Sequence, residues 1–434
     1  IRNNNGNVGH RAVYISGTCA SIEMSKCNLY SSGYGLLSGS ALTGGTFDYI
    51  NVTGGANIGI YMFGAASSNV TVTNCTTTNR GGIQLTSIAN PIANNNTVTS
   101  FTPTLNGIGV QSCSGILTMN DNRISNGQPT NGGIYLLNNT FTSGTCDRNI
   151  LSSITGGPVV ISNTHDISVN NTIVYNSTST GFVCNAGSYN ITLYGCLSYN
   201  NAGDGFNTAT AHDITFIYCR SSHCGNKASQ AAGDGFSSHL NDYNINHLYC
   251  IADYNTVSGF AMVGNTSGLL YGCLAYKNAG DWTSEGGLDQ IRSGFDFNVD
   301  GVNPTTGISW KIRNCIGYNN YPRELRLYHI EILDFDFNQY YGLDINKFVS
   351  LSGGGDITFE TYQETYEANS IYGDPVIKSD SELYPTIPIE IGETLDAAFD
   401  DGMDVTTNWG SLTSVPTVVT KQQSATWQIG AYIV

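Results

Sequence analysis

Short apolar runs alternate with polar turns along most of this chain, and each cycle opens on a glycine followed by an apolar residue. "GLLSGSALTGGTFDYINVTGGANI" begins at Gly35 and "GIYMFGAASSNVTVTNCTTTNR" at Gly59. Further starts fall at Gly82, Gly107, Gly133, Gly157, Gly181, Gly205, Gly235, Gly259 and Gly294. Most spacings are 23 to 26 residues, and two are 30 and 35. A fixed period in that range is the mark of stacked structural units. Within each cycle the apolar positions alternate with a period of two, and the i, i+3, i+4, i+7 spacing of an amphipathic helix is absent. About three short strands per cycle predict a parallel β-helix, an all-β solenoid of about twelve coils. Leucine-rich repeats need a helix and leucine patterning that are missing, and propeller blades need about 40 residues each.

The alternation also assigns faces. The residue after each register glycine faces inward, so Phe206 and Phe236 point into the core while the glycine turns the corner. Residues two and four after the glycine face outward. Aligned over neighbouring coils, the outward rows read Asn207, Ser237, Ala261, Asp296 and Ala209, His239, Val263, Asn298. The residue before the glycine adds Asp204, Asp234, Ser258 and Ser293. One face therefore gathers Asp204, Asp234, His239, Asp296 and Asn298.

Composition and charge refine this picture. Charged residues make up only 12%, while Gly reaches 51 of 434 and Pro only 10, so the chain is neither an ordinary globular protein nor a disordered Pro/Gly polymer. The net charge of −16 is uneven: residues 1–280 hold 10 acids and 9 bases, and residues 281–434 hold 23 acids and 8 bases. Neither part carries the basic footprint of nucleic-acid binding. No run of about 18 apolar residues is present to span a membrane. Five of the 12 cysteines, Cys196, Cys219, Cys250, Cys273 and Cys315, recur in one phrase, as in "YGCLSYNN", "LYCIADYN" and "RNCIGYNN". That repetition makes them small buried hydrophobes rather than a zinc or redox set. "IRNNNGNVGH" at the start reads as mid-protein sequence.

The phrases "GDGF", "SGFAMVGNTSGLLYGCLAYKN" and "SGFDFN" resemble the right-handed parallel β-helix superfamily of pectate lyases, polygalacturonases and many phage tailspikes. The resemblance covers roughly residues 9–320. It implies an extracellular, cell-surface or virion protein that engages polysaccharide along one face, as a lyase- or hydrolase-like depolymerase. It equally admits a non-catalytic tailspike shaft, surface filament or adhesin, with a homo-oligomer (trimer or filament) as its assembly. Residues 1–320 form the β-helix in this reading. Residues 321–434, which end in "LDAAFDDG" and "IGAY", resemble the closing tails of such proteins and form a C-terminal cap.

Some relatives bind Ca²⁺ through paired Asp in such turns and use a Lys or Arg to remove a proton. Asp204 and Asp234 match the acidic position, one coil apart and about 5 Å from each other at Cα. Asp296 stands where the basic residue is expected, which leaves His239 or Arg292 as the base. The paired-Asp and Gly-His-Gly set of polygalacturonases is absent. The candidate catalytic residues are thus Asp204, Asp234, His239, Asp296 and Arg292. Asn207 and Asn298 are candidates for substrate contact. The longest cycles carry insertions at 221–234 and 277–293, and such loops often carry function. Trp282 and Tyr243 are candidate sugar-stacking rings, with Asp281, Glu285, Asp289 and Arg292 nearby. Asp before Gly is also a common turn dipeptide, so Asp204 and Asp234 have a purely structural reading as well.

Overall fold

Parallel strands, three to a turn, account for nearly all the secondary structure of the computed structural model. It describes residues 11–374 except 32, 55–56, 102–105, 130, 226–232, 280–291, 300–308, 337, 343–344 and 352–354. The single α-helix among the described residues is Phe359–Tyr366, whose N-terminus is capped by the Thr358 side chain accepting from Thr361 N. The chain forms two compact units, residues 1–202 and 203–434.

In the first unit the strand that opens each cycle stacks in register on the next. Ile83 pairs with Ile108, Ile108 with Ile134, Ile134 with Val159 and Val159 with Phe182. These side chains are buried, so one inward column of branched apolar groups runs along the coils. Asparagines form a second column. Asn96 Nδ2 donates to Asn122 Oδ1 at 3.1 Å, and Asn122 Nδ2 to Asn149 Oδ1 at 2.9 Å. The same oxygens accept the backbone N–H of the preceding Asn, both at 3.0 Å. A turn buried inside the solenoid thereby leaves none of these amide groups unmet.

The second unit repeats the plan. Phe206–Ala209, His212–Ile217 and Arg220–Ser222 make one turn and pair with Phe236–His239, Tyr243–Leu248 and Ile251–Asp253. Phe206, Phe236, Phe260 and Phe295 are buried and stack face to face, at centroid separations of 4.7, 5.0 and 5.3 Å. The inward assignment of Phe206 and Phe236 is therefore correct. The register glycines stand at bends, as expected. None of Gly205, Gly235, Gly259 and Gly294 has a left-handed φ. A Cβ on Gly205 would instead lie 2.6 Å from the Gly235 carbonyl and 2.0 Å from Ser221 Oγ, so glycine is required by close approach of the next coil. Other corners are turned by residues in the left-handed region, among them Asn200, Thr210, Tyr218 and His223 at φ of 50 to 57°.

All twelve cysteines are free thiols, ten of them buried. Cys219, Cys250 and Cys273 each pass their carbonyl to the residue after the next cysteine, as Ile251 N to Cys219 O does at 2.9 Å. The parallel pairing continues past residue 320. Leu325 pairs with Phe295 and with Val349, and Gln339 with Ile316 and Ile371. The tail beyond residue 374, including most of the expected cap, lies outside the described residues.

Candidate functional site

The outward rows read from the sequence exist in the second unit. Asn207 pairs with Ser237, Ser237 with Ala261 and Ala261 with Asp296; Ala209 pairs with His239, His239 with Val263 and Val263 with Asn298. The next coil extends the first row to Arg326 and the second to Tyr328. These rows differ from expectation in exposure. Asp204, Ser237, Asp296 and Arg326 are buried, while Asn207, Asp234, His239 and Asn298 are half-buried.

Asp204 and Asp234 meet through the backbone. Asp204 Oδ1 accepts the N–H groups of Gly233 at 2.8 Å and Asp234 at 3.0 Å, and Asp234 Oδ1 accepts Ser258 N at 2.8 Å. Each acidic turn is thus tied to the coil that follows it. Burial and the neighbouring Asp204 charge push the Asp234 carboxyl well above the usual range. It holds a proton at pH values where an ordinary aspartate is ionised.

The polar chain continues across the face. Asn207 Nδ2 donates to Asp204 Oδ2 and to Ser237 Oγ, both at 3.3 Å, and Ser237 Oγ is hydrogen-bonded to His239 Nε2. Because Asn207 fills an acceptor position on Ser237, the hydroxyl proton is available for His239 Nε2. Burial lowers the His239 pKa against the opposing pull of Asp204, so the imidazole is neutral at pH 7. Asp242 fixes the backbone beneath it: its Oδ2 accepts His239 N at 3.0 Å and its Oδ1 accepts Ala211 N at 2.7 Å. Burial raises Asp242 to about 6.

Asp296 has a different occupation. Arg326 Nη1 donates to both of its oxygens, at 3.0 and 2.8 Å, and Arg326 Nη2 donates to Tyr328 Oη at 3.0 Å. Burial lifts Asp296 to about 6 against the pull of Arg326 and Arg323. The basic residue missing from the Asp296 position is therefore present one coil later. Its guanidinium is held protonated by Asp296 and Tyr328, which suits charge compensation and not proton removal. Arg292 is buried two residues ahead of Gly294.

Tyr243 opens a different strand of the coil and stacks on His212 at 4.5 Å, leaving it about half exposed. Trp282 lies outside the described residues, with Asp281, Glu285 and Asp289. Among the other histidines, His223 stacks on Tyr254 and His247 on Phe216. Burial drives His247 down to about 3, so it serves as a neutral core ring.

The donors fit a cation poorly. No group of three or more His, Cys, Asp or Glu placed for a metal occurs among the described residues. Asp204 and Asp234 each give one oxygen to backbone N–H groups, and both oxygens of the third carboxylate belong to Arg326. A Ca²⁺ site needs six to eight oxygen ligands.

Ser237, Asp242 and Arg326 were not singled out in the sequence. Ser237 stood in the outward row but carries no chemical signal until His239, two residues on, is known to turn back toward it. Arg326 follows a change of phrase from "SGFDFN" to "RELRLY" that breaks the glycine register.

Residues 11–172 match the family described as "Right handed beta helix region". Among curated proteins, none matches the sequence. Among solved structures, pectate lyase Pel9A is similar at 14% identity and a TM-score of 0.34, over 74% of this chain and 69% of that one. The Azotobacter vinelandii mannuronan C-5 epimerase AlgE4 A-module aligns at 13% identity and 0.33, over 82% and 90%. A tailspike protein mutant of E. coli bacteriophage HK620, in complex with hexasaccharide, aligns at 11% and 0.39, over 82% and 73%. No helix among the described residues is long and apolar enough to cross a membrane. The family match and the stacked ladders agree: residues 11–172 are similar to a right-handed β-helix region, and both units of the chain are built as a parallel β-helix.

Proposed function

We propose that this chain is an extracellular or virion-surface β-helix protein that cleaves polysaccharide by acid–base chemistry at the outward rows of its second unit. The observation that carries the reading is the linked chain Asp234–Asp204–Asn207–Ser237–His239, with a carboxyl of raised pKa at one end and an imidazole of lowered pKa at the other. Two titratable groups pushed apart in this way supply an acid and a base at one pH. Asp234 donates its proton to the departing glycosidic oxygen. His239 Nε2 takes the Ser237 hydroxyl proton while Ser237 Oγ takes one from water or from the sugar, so the pair acts as the base. Asp204 keeps Asp234 protonated by its charge, and Asn207 aligns Ser237. The substrate class rests on the resemblance of the repeats to polysaccharide-acting β-helix proteins.

Incubating the protein with neutral and uronate-containing polysaccharides tests this. New reducing ends without ultraviolet absorbance mean hydrolysis, and an absorbing unsaturated uronate means elimination. Asp234→Asn and His239→Gln are each expected to lower turnover by about 10²-fold or more. If no polysaccharide is cut, or if both variants cut as well as the parent, the assignment fails. A specific observation favours the competing reading of a non-catalytic shaft or filament: Asp204 and Asp234 both bond the backbone of the next coil, as turn-building residues do.

A further inference from the structure

The first unit holds a cavity of about 200 Å³ lined, among the described residues, by Ile58, Tyr61, Ile83, Gln84, Thr86, Asn106 and Gln111. It lies on the outer face of the first strand of successive coils, where Tyr61 pairs with Gln84 and Gln84 with Gly109, and Phe63 with Thr86 and Thr86 with Gln111. Three features distinguish this patch from the surrounding Thr/Asn surface. Tyr61 is stacked between Tyr34 at 6.3 Å and Phe63 at 5.6 Å, and Phe63 is exposed. That gives a short aromatic stripe at the edge of the cavity.

Gly109 is the second feature. It lacks a side chain where its row has Gln84 before it and Tyr135 after it. A Cβ there would lie 2.0 Å from Gln84 Oε1 and 2.9 Å from Asn106 Nδ2. The Gln84 amide therefore rests over the glycine, where Oε1 accepts from Asn106 Nδ2 at 3.4 Å while Nε2 reaches Thr86 Oγ1 at 3.4 Å. Both bonds are long. The third feature is Asn106 Oδ1, which is buried and has no hydrogen-bond partner among the described residues. A buried acceptor left unmet is costly, which marks the Asn106 amide as poorly settled where it stands.

We infer that this cavity is a binding site for a neutral saccharide, separate from the acid–base residues of the second unit. No described lining residue is charged, which disfavours anionic or cationic ligands. Aromatic rings beside several amides and a hydroxyl match a polyhydroxylated ring with one apolar face and many hydroxyl donors. Sugar hydroxyls would exchange with the two long amide bonds, while the apolar ring face covers Tyr61 or Phe63.

The test is binding of the full chain to an array of neutral oligosaccharides of glucose, galactose, mannose and N-acetylglucosamine, with hexagalacturonate as the acidic probe. Hits are followed by calorimetry. Tyr61→Ala removes the ring. Gly109→Ala needs no unusual φ and pushes the Gln84 and Asn106 amides out of place. The expected result is retention of at least one neutral oligosaccharide in preference to hexagalacturonate, with at least tenfold weaker binding in each variant and an unchanged melting temperature for Gly109→Ala. Absence of neutral-saccharide binding overturns the inference. So does preference for the acidic probe, or binding that survives both substitutions. Because neither substitution touches the second unit, this result is independent of whether polysaccharide is cleaved there.

Discussion

Glu324 closes the asparagine ladder through Asn320: its Oε1 accepts the Asn320 backbone N–H at 3.0 Å and its Oε2 accepts Asn320 Nδ2 at 2.6 Å. Where Asn278 and Asn320 each offer an amide oxygen to the coil before, this turn offers a carboxyl. Burial raises Glu324 to about 8, against the two Asn320 donors that favour its ionised form.

The folded pKa of Glu324 lies above the unfolded value near 4.5, so between those values the native state binds more protons than the unfolded chain. Stability contributed by protonated Glu324 is complete below about 4.5 and is lost as pH rises toward 8. The slope from this one group reaches about 1.4 kcal/mol per pH unit. Asp242 and Asp296, both raised to about 6, act in the same sense between about 4 and 6. His247, lowered to about 3, acts oppositely and costs stability as pH falls below about 6.5. The protein should therefore melt at a lower temperature at pH 8 than at pH 6, and Glu324→Gln should flatten that limb. A melting curve equally steep in parent and variant between pH 6 and 8 would refute the assignment.

Asn278 tests the ladder itself. Its Oδ1 accepts Asn255 N at 3.1 Å and Asn255 Nδ2 at 3.0 Å, while its Nδ2 donates to Ala252 O at 2.8 Å and Asn320 Oδ1 at 2.9 Å. Asn278→Ala takes these partners from the buried Asn255 N and Ala252 O, while Asn255 Nδ2 keeps Ser221 O and Asn320 Oδ1 keeps Asn278 N. The expected loss is about 3 kcal/mol, read from chemical denaturation. A surface asparagine with ordinary backbone, such as Asn28, whose Oδ1 accepts Asn51 Nδ2 at 3.2 Å while exposed, should cost less than about 0.5 kcal/mol when changed to Ala.

These ladders explain how far the sequence could be read. The coil period, the inward phenylalanines and the rows Asn207–Ser237–Ala261–Asp296 and Ala209–His239–Val263–Asn298 follow from one glycine register, because stacking at a fixed spacing turns sequence offset into spatial alignment. What stayed hidden depends on side-chain direction within a coil. The hydrogen bond from Ser237 to His239 and the hold of Asp242 on His239 N need a knowledge of how the strand turns at Leu240, whose φ is 56°. The pairing of Arg326 with Asp296 lies where the glycine mark is lost, at Glu324, and only the ladder carries the register across it. Burial of an outward row is likewise invisible to alternation, which separates two faces of a strand without saying what lies over either one.

Asp234 offers the sharpest separation of the catalytic and structural readings. Its folded pKa is well above the usual 3.8, so as pH rises from about 4 the native state retains a proton that the unfolded chain has released, and stability falls. Asn at this position keeps an oxygen for Ser258 N and carries no charge beside Asp204. If Asp234 is a proton donor held at a cost, Asp234→Asn should raise the melting temperature at pH 8 by a few degrees while turnover disappears, the trade expected of a strained functional group. If the carboxylate instead works ionised, with Ca²⁺ as its partner, the variant should melt lower, and added Ca²⁺ should raise the melting temperature of the parent alone. Thermal melts of both proteins at pH 8, with and without millimolar Ca²⁺, give opposite signs for the two cases. A neutral shift in both, with turnover intact, would reduce the Asp204–Asp234 pair to the turn that joins two coils.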